Sequence, residues 1–467
     1  MKTDRCPMPD TPHVLCVNPW IHDFAAFDFW LKPLGLLGLA ALLRNAGIRV
    51  SFIDCLDRFH PREPRPVKTA WDGRGPFRKT PIHLAKALPA MDRPLPRIKK
   101  TFSRYGIKPE WLKTDLTSLD RPDLILVTSL MTYWASGVAE TIAVIRSVYP
   151  DVPVVLGGKY PTLCRDHAQA HSGADLVVTG HGEPAMADIV RRFTGYACRL
   201  DSPDPDRTPF AALDLCTGLT YAPILTARGC PFSCDYCAAS FLEPRMTRRA
   251  IGHVFDEICH WHLGYGVKNF AFYDDALLVN GPDHAFLLME KIIAANLDLF
   301  FHTPNALHIR EINRDAADLM FRAGFKTIRM GLETAEFARN RRHDIKVRKQ
   351  EFFNAVTALK SAGFEGRQIG AYLLCGLPGQ NPDDVAMSMD FVRKTGILPV
   401  PAHYTPIPHT PLWDTAVAHA RFDITRHPVF TNNSLFPCVR SQQDRRRISQ
   451  LKNRMISDIV HPDGGER

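Results

Sequence analysis

No run of about 18 or more uncharged apolar residues occurs in the chain. The longest candidate, Pro33 to Leu43, is too short to span a bilayer. The opening Met1-Lys2-Thr3-Asp4-Arg5 leads into a proline-containing stretch without the apolar centre of a signal peptide. Together these absences lead us to expect a cytoplasmic protein. No internal repeat at a fixed short period is present. The two cysteine pairs that a zinc ribbon usually shows are missing as well. Nine of the twelve cysteines (6, 16, 55, 164, 198, 216, 259, 375 and 438) are scattered singly. Scattered thiols of this kind do not make a disulfide framework, and buried free cysteine packs as a small hydrophobe.

The chain has 467 residues, 45% of them hydrophobic and 23% charged. At roughly 100–200 residues per domain, two or three ordinary globular domains are expected. The net charge is +9. Basic clusters stand at Arg248-Arg249, at Arg339 to Arg342 (broken by Asn340) and at Arg445-Arg446-Arg447. Such clusters could meet nucleic acid, or they could be solvated helix faces and sites for phosphate-bearing cofactors. Net charge alone is weak evidence, so the second reading carries more weight.

Residues 1–195 alternate strand and helix patterns. His13 to Asn18 is an apolar strand, Pro33 to Gly47 reads as a helix and Arg49 to Asp54 as a second strand. Further strands are expected at Asp123–Thr128, Pro153–Leu156 and Asp175–Thr179, with a helix over Ser136–Val148. This alternation implies a doubly wound parallel α/β sheet of the flavodoxin or Rossmann type. A Pro-, Lys- and Arg-rich insertion at about 60–121 has no clear periodicity and is expected to run over the surface. Residues 196–220 form a linker centred on Asp201-Ser202-Pro203-Asp204-Pro205-Asp206. Residues 221–420 carry six strand patterns with helices between them: Ile224–Thr226, Asn269–Tyr273, Leu299–His302, Thr327–Gly331, Gln368–Leu374 and Pro399–Thr405. Six βα units suit a partial barrel, whose chemistry sits at the C-terminal strand ends. The polar, basic tail 421–467 is expected to cap it.

Three cysteines are clustered. Thr226-Ala-Arg-Gly-Cys230-Pro-Phe-Ser-Cys234-Asp-Tyr-Cys237 has the spacing C-x3-C-x2-C. Iron–sulfur clusters are held by cysteine thiolates, normally four. Three thiolates leave one iron open to a substrate or cofactor. Cys259, His260 and His262 lie nearby in sequence, but in a helical pattern that faces mixed directions, which weighs against zinc.

This segment resembles the signature of the radical S-adenosylmethionine (SAM) superfamily, with the aromatic Tyr236 just before the last cysteine. The resemblance implies a [4Fe–4S] cluster on Cys230, Cys234 and Cys237, with the open iron chelating SAM. One electron, from a donor such as flavodoxin or ferredoxin, would cleave SAM to a 5′-deoxyadenosyl radical that abstracts hydrogen from the substrate. Later segments agree with it. Phe272-Tyr273-Asp274-Asp275 ends the second strand, where the family places a polar group near the SAM amino group; Asp274 or Asp275 fits, and either could instead cap the next helix. Gly324 to Thr334 resembles the fourth-strand motif, with Glu333 toward a ribose hydroxyl. Cys375-Gly376-Leu-Pro-Gly379-Gln380 resembles the glycine-rich fifth-strand motif that approaches adenine. Gln380 stands where many relatives have Glu. In the sixth-strand segment, Tyr404 to Pro411, His409 stands where many have Gly.

The N-terminal domain resembles the cobalamin (B12)-binding domains fused to such barrels. Val17-Asn18-Pro19, Pro33 to Leu36, Thr128 to Thr132, Gly157-Gly158 and Gly180 to Glu183 carry the likeness. It implies that Thr128, Gly157 and Gly158 lie against cobalamin. The D-x-H-x-x-G pattern that supplies a lower axial histidine is absent, and Pro19-Trp20-Ile21-His22-Asp23 does not replace it. The expected function is therefore a radical SAM enzyme, cobalamin-dependent, transferring methyl to an unactivated carbon of a small molecule. Two alternatives stand beside it. One is a cobalamin-independent radical SAM enzyme, modifying RNA or a small molecule, with an empty B12-like domain. The other is a non-enzymatic iron–sulfur module, which would not need the SAM-facing segments.

Overall fold

The computed structural model describes residues 11–84, 100–200, 206, 208–337 and 347–460. Cys6, the linker centre at 201–205, residues 85–99 of the insertion and the Arg339–Arg342 cluster lie outside the described residues. The chain divides into two compact units, residues 1–68, 75–95 and 99–219, and residues 69–74, 96–98 and 220–467.

The described strands of the first unit are His13–Asn18 (β1), Ile21–Asp23 (β2), Arg49–Asp54 (β3), Lys79–Pro81 (β4), Ser103–Tyr105 (β5), Leu124–Val127 (β6), Val154–Leu156 (β7) and Leu176–Val177 (β8). Five form a parallel sheet in the order β3-β1-β6-β7-β8. That is the flavodoxin-like order, with its switch point between β1 and β6. Alternation along the strands builds two cores. Val14, Cys16, Leu124, Leu126 and Val155 pack with Leu36, Ala40 and Leu43 of the helix Leu34–Asn45 and with Ile189 and Val190 of the helix Glu183–Thr194. Leu15, Val17, Ile125, Val127 and Val154 face the other way, onto Val138, Ile142 and Ile145 of the helix Ala135–Val148. A strand buried on both faces reads as a continuous apolar run, which is why His13 to Asn18 was legible.

The insertion, expected as an excursion over the surface without clear periodicity, carries short regular elements. β4 and β5 pair antiparallel with each other, and β5 pairs with β2, giving a small three-stranded sheet. Pro109–Ser118 is a helix with Pro at its first position, and its Leu112 and Leu116 join the second core.

The described strands of the second unit are Ala222–Ile224 (β9), Ala227–Arg228 (β10), Thr247–Arg248 (β11), Asn269–Phe272 (β12), Phe300–His302 (β13), Phe325–Glu333 (β14), Ile369–Cys375 (β15) and Leu398–His403 (β16). Six are parallel in the order β16-β15-β14-β13-β12-β9, the sheet of a partial barrel. Parallel strands joined by crossover helices place all their C-terminal ends on one side. The short ribbon β10–β11 sits apart and closes the base of the cysteine loop. The tail is less polar in its burial than in its composition: Val429, Phe430, Leu435 and Phe436 are buried, and the Phe436 ring lies 4.9 Å from that of His403.

Candidate active site

The cysteine loop leaves the sheet just after β9. Its base is fixed by Asp274, at the end of β12. The carboxylate accepts from Thr226 N at 3.1 Å, from Thr226 Oγ1 at 2.6 Å and from Ala227 N at 2.8 Å. His284 Nε2 lies 3.1 Å from the same hydroxyl. Because the hydroxyl proton goes to Asp274, His284 donates to the oxygen. Burial pushes the Asp274 carboxyl up to about 6, against the hydrogen bonds from Thr226 and Ala227 that lower it. Arg249 donates to Leu225 O at 2.9 Å and pairs with the buried Glu257 at 2.7 Å, tying the ribbon to the helix Ile251–Tyr265.

Gly229 has φ +87, and a Cβ there would meet Arg245 O at 3.0 Å, so glycine is needed to turn the chain into the cysteines. Cys234 is buried, while Cys230, Tyr236 and Cys237 are half-buried. Cys237 N donates to Cys234 O, and Ala239 N donates to Cys237 Sγ at 3.4 Å. A backbone donor to sulfur favours the thiolate that iron requires. Among the described residues no three His, Cys, Asp or Glu side chains gather as ligands of one metal ion. Three thiolates on one loop after the first barrel strand, with an amide donor, fit the cluster. Cys259 and the two histidines near it lie on the helix Ile251–Tyr265, where His262 Nδ1 contacts Val267 O and His260 packs on Trp261.

The other candidates stand at C-terminal strand ends of the same unit. Asp274 is absorbed by the loop base, and Asp275 beside it is exposed. Glu333 ends β14 with φ +66, next to a register shift between Gly331 and Glu333. A glutamate held in the left-handed region costs about 1 kcal/mol or more, and such strain concentrates at functional positions. Gly376 and Gly379, after β15, have φ +87 and +70. Gln380 clamps their turn: its Oε1 accepts from Gly376 N at 2.7 Å, and its Nε2 donates to Leu374 O at 2.8 Å. A glutamate cannot make the second bond, which gives the departure at Gln380 a physical meaning. His409 has φ +67, a backbone suited to the glycine of relatives, and its ring stacks on Phe241 at 4.3 Å and 2°.

In the first unit, Thr128, Gly157 and Gly158 follow β6 and β7 at the C-terminal edge, where flavodoxin-like sheets bind ligands. The two glycines do different work. Gly158 has φ +102, and a Cβ there would come within 2.3 Å of Ser129 O; Gly157 has open space where its Cβ would be. Ser129 Oγ donates to Gly157 O at 3.2 Å and fixes this edge. Gly157 thus leaves room beside Thr128, at the edge where a ligand of such a sheet would lie. His22 does not face it as a metal ligand. The ring is buried on β2, with Nε2 at 2.7 Å from Glu140 and Nδ1 at 3.2 Å from Ser136 Oγ.

Fold and loop together define an iron–sulfur barrel enzyme preceded by a flavodoxin-like ligand-binding domain. The Radical SAM superfamily model matches residues 224–392, and the B12 binding domain model matches residues 115–190. The chain therefore carries a radical SAM domain and, ahead of it in sequence, a B12-binding domain. An uncharacterized methyltransferase of Pyrococcus horikoshii is 26% identical over 331 residues, 64% of this chain and 70% of that one. The hopanoid C-2 methylase of Rhodopseudomonas palustris is 22% identical, over 56% of this chain and 52% of its own. The solved radical SAM methyltransferase TsrM of Kitasatospora setae, with cobalamin and a [4Fe-4S] cluster bound, superposes with TM-score 0.61 at 14% identity, covering 87% of this chain and 78% of that one. No helix among the described residues is long and apolar enough to cross a membrane.

Proposed function

We propose that the protein is a cobalamin-dependent radical SAM methyltransferase that methylates an unactivated carbon of a small molecule in the cytoplasm, with electrons from a flavodoxin- or ferredoxin-type donor. The observation that carries the reading is the coexistence of two built sites in one chain. One is the three-cysteine loop pinned by Asp274; the other is the open Gly157 edge of the flavodoxin-like sheet. The methyltransferases named among its relatives support the choice of methyl transfer.

When bound, the cluster and SAM supply a 5′-deoxyadenosyl radical for hydrogen abstraction, and cobalamin carries a methyl group. The chain's own residues supply position. Cys230, Cys234 and Cys237 would hold the cluster by three thiolates and leave it open to SAM. Asp275 offers the SAM ammonium a carboxylate, Glu333 takes a ribose hydroxyl, and Gly376 and Gly379 give the adenine a bare backbone. Tyr236, next to Cys237, would lie against SAM. Thr128 and Gly157 line the cobalamin edge.

Anaerobic purification with cobalamin in the medium, followed by iron and cobalt analysis, tests this. About four irons and one cobalt per chain are expected. Cys234→Ala should abolish 5′-deoxyadenosine formation in reduced, reconstituted protein. Iron without cobalt would remove the cobalamin-dependent reading and leave the radical SAM enzyme standing. Undiminished 5′-deoxyadenosine in the variant would remove the cluster assignment.

A further inference from the structure

His308 follows β13 and is 78 residues from Cys230 in sequence, yet its Nε2 stands 3.5 Å from Cys230 Sγ. The residue is only 7% exposed. Its ring tilts against Phe232, which lies between the first two cysteines, with centroids 4.3 Å apart. The Arg310 guanidinium sits 5.4 Å from the centroid of the same Phe232 ring. The aromatic residue inside the loop thus fixes where the imidazole points. A nitrogen at this distance from sulfur is within reach of an N–H···S hydrogen bond and too far for anything shorter.

We propose that His308 donates a hydrogen bond from Nε2–H to the Cys230 thiolate and thereby raises the reduction potential of the cluster held there. The inference rests on the iron–sulfur assignment of the loop. One-electron reduction by an external low-potential donor adds negative charge that spreads over irons and sulfurs, with no bond broken. A donor to sulfur stabilises the reduced state more than the oxidised one, and hydrogen bonds to the sulfurs are among the levers that set these potentials. Low exposure strengthens the effect, because little water competes for the sulfur. A second donor, Ala239 N to Cys237 Sγ, is backbone and survives any change at position 308. His308 is therefore a positioning residue that acts on the cluster through Cys230.

The test compares reconstituted wild-type, His308→Phe and His308→Gln proteins by iron content and by midpoint potential from an electron-paramagnetic-resonance titration with dithionite. His308→Phe keeps a ring against Phe232 and removes the donor; His308→Gln restores an N–H. The expected result is full iron in all three, a more negative midpoint in His308→Phe and partial return in His308→Gln. An unchanged midpoint in His308→Phe overturns the proposal. Pulsed resonance on the reduced wild-type protein decides the matter even where a variant fails to load iron. With histidine selectively labelled with nitrogen-15, weak coupling to the labelled imidazole supports the hydrogen bond, while the strong coupling of an imidazole bound to iron, or no coupling to labelled histidine, overturns it. A wild-type protein that takes up no iron would instead overturn the assignment of the loop itself.

Discussion

The Asp274 carboxylate holds Thr226 by both its backbone N–H and its hydroxyl, the latter at 2.6 Å, across 48 residues of sequence. This bond joins the end of β12 to the first turn of the cysteine loop. It places a residue expected to meet SAM at the base of the cysteine loop.

Asp274→Asn should therefore weaken the loop base before it weakens SAM binding. An amide offers one oxygen to three donors and turns an N–H toward them. Losing buried, charge-assisted hydrogen bonds costs about 2–4 kcal/mol. We expect iron content after reconstitution to fall to about half or less, with a lower melting temperature for the iron-free protein. Normal iron loading with weakened SAM affinity would return Asp274 to the role of ammonium partner.

Glu333 separates carboxylate chemistry from backbone strain. At φ +66, Glu333→Gly removes both the carboxylate and the strain, whereas Glu333→Ala removes the carboxylate and keeps the strain. A charge-assisted hydrogen bond to a ribose hydroxyl contributes about 1.5–3 kcal/mol, so both variants should bind SAM about ten- to a hundred-fold more weakly in equilibrium dialysis. The glycine variant should melt at the higher temperature of the two. Equal SAM affinity in wild type and both variants would assign Glu333 to the β-bulge alone.

What the sequence discloses here follows from distance along the chain. The cysteine spacing and the long apolar strands are local patterns, and the six barrel strands lie within a few residues of their expected ends. The helix Pro109–Ser118 carried a readable signal, Pro at its start and Leu112 and Leu116 one turn apart, inside a segment read as irregular. Strands of three residues, such as β4 and β5, are too short to show a period. His308 and Cys230 share no motif, because only the crossing of β13 beside β12 in the sheet brings them together. The same holds for the positive φ of Glu333, which is a property of the bulge and not of glutamate.

Glu140 gives the first unit an acid-sensitive contact. Burial alone would raise its carboxyl, but His22 and Arg104 hold it down at about 2, against an ordinary 4.5. The unfolded carboxyl titrates near the ordinary value. The stabilisation is therefore present above about pH 4.5 and is lost as pH falls toward 2. Partial exposure of the carboxylate reduces it to about 1–2 kcal/mol. Glu140→Gln should lower the melting temperature near pH 6 and shrink the gap to wild type as the pH drops below 4. A gap that stays constant from pH 6 to 3 would show that Glu140 acts through packing and not through charge.

Gly157 tests the cobalamin edge independently of the cluster. Its φ is not in the left-handed region, and a side chain there meets nothing within 4 Å. Gly157→Leu should consequently fold, and should fill the space in front of β7 and not distort the sheet. Gly158→Ala differs, because its Cβ would come within 2.3 Å of Ser129 O and the backbone must move. If cobalamin rests on this edge, Gly157→Leu will carry far less cobalt than wild type, about a tenth or below, with unchanged iron and melting temperature. Its methylation should fall in proportion, while 5′-deoxyadenosine formation from SAM persists, since the leucine lies in the first unit and the cysteine loop in the second. Wild-type cobalt content in Gly157→Leu would place the cofactor elsewhere on the sheet edge, and a parallel loss of iron would mean that the substitution disturbs more than this edge.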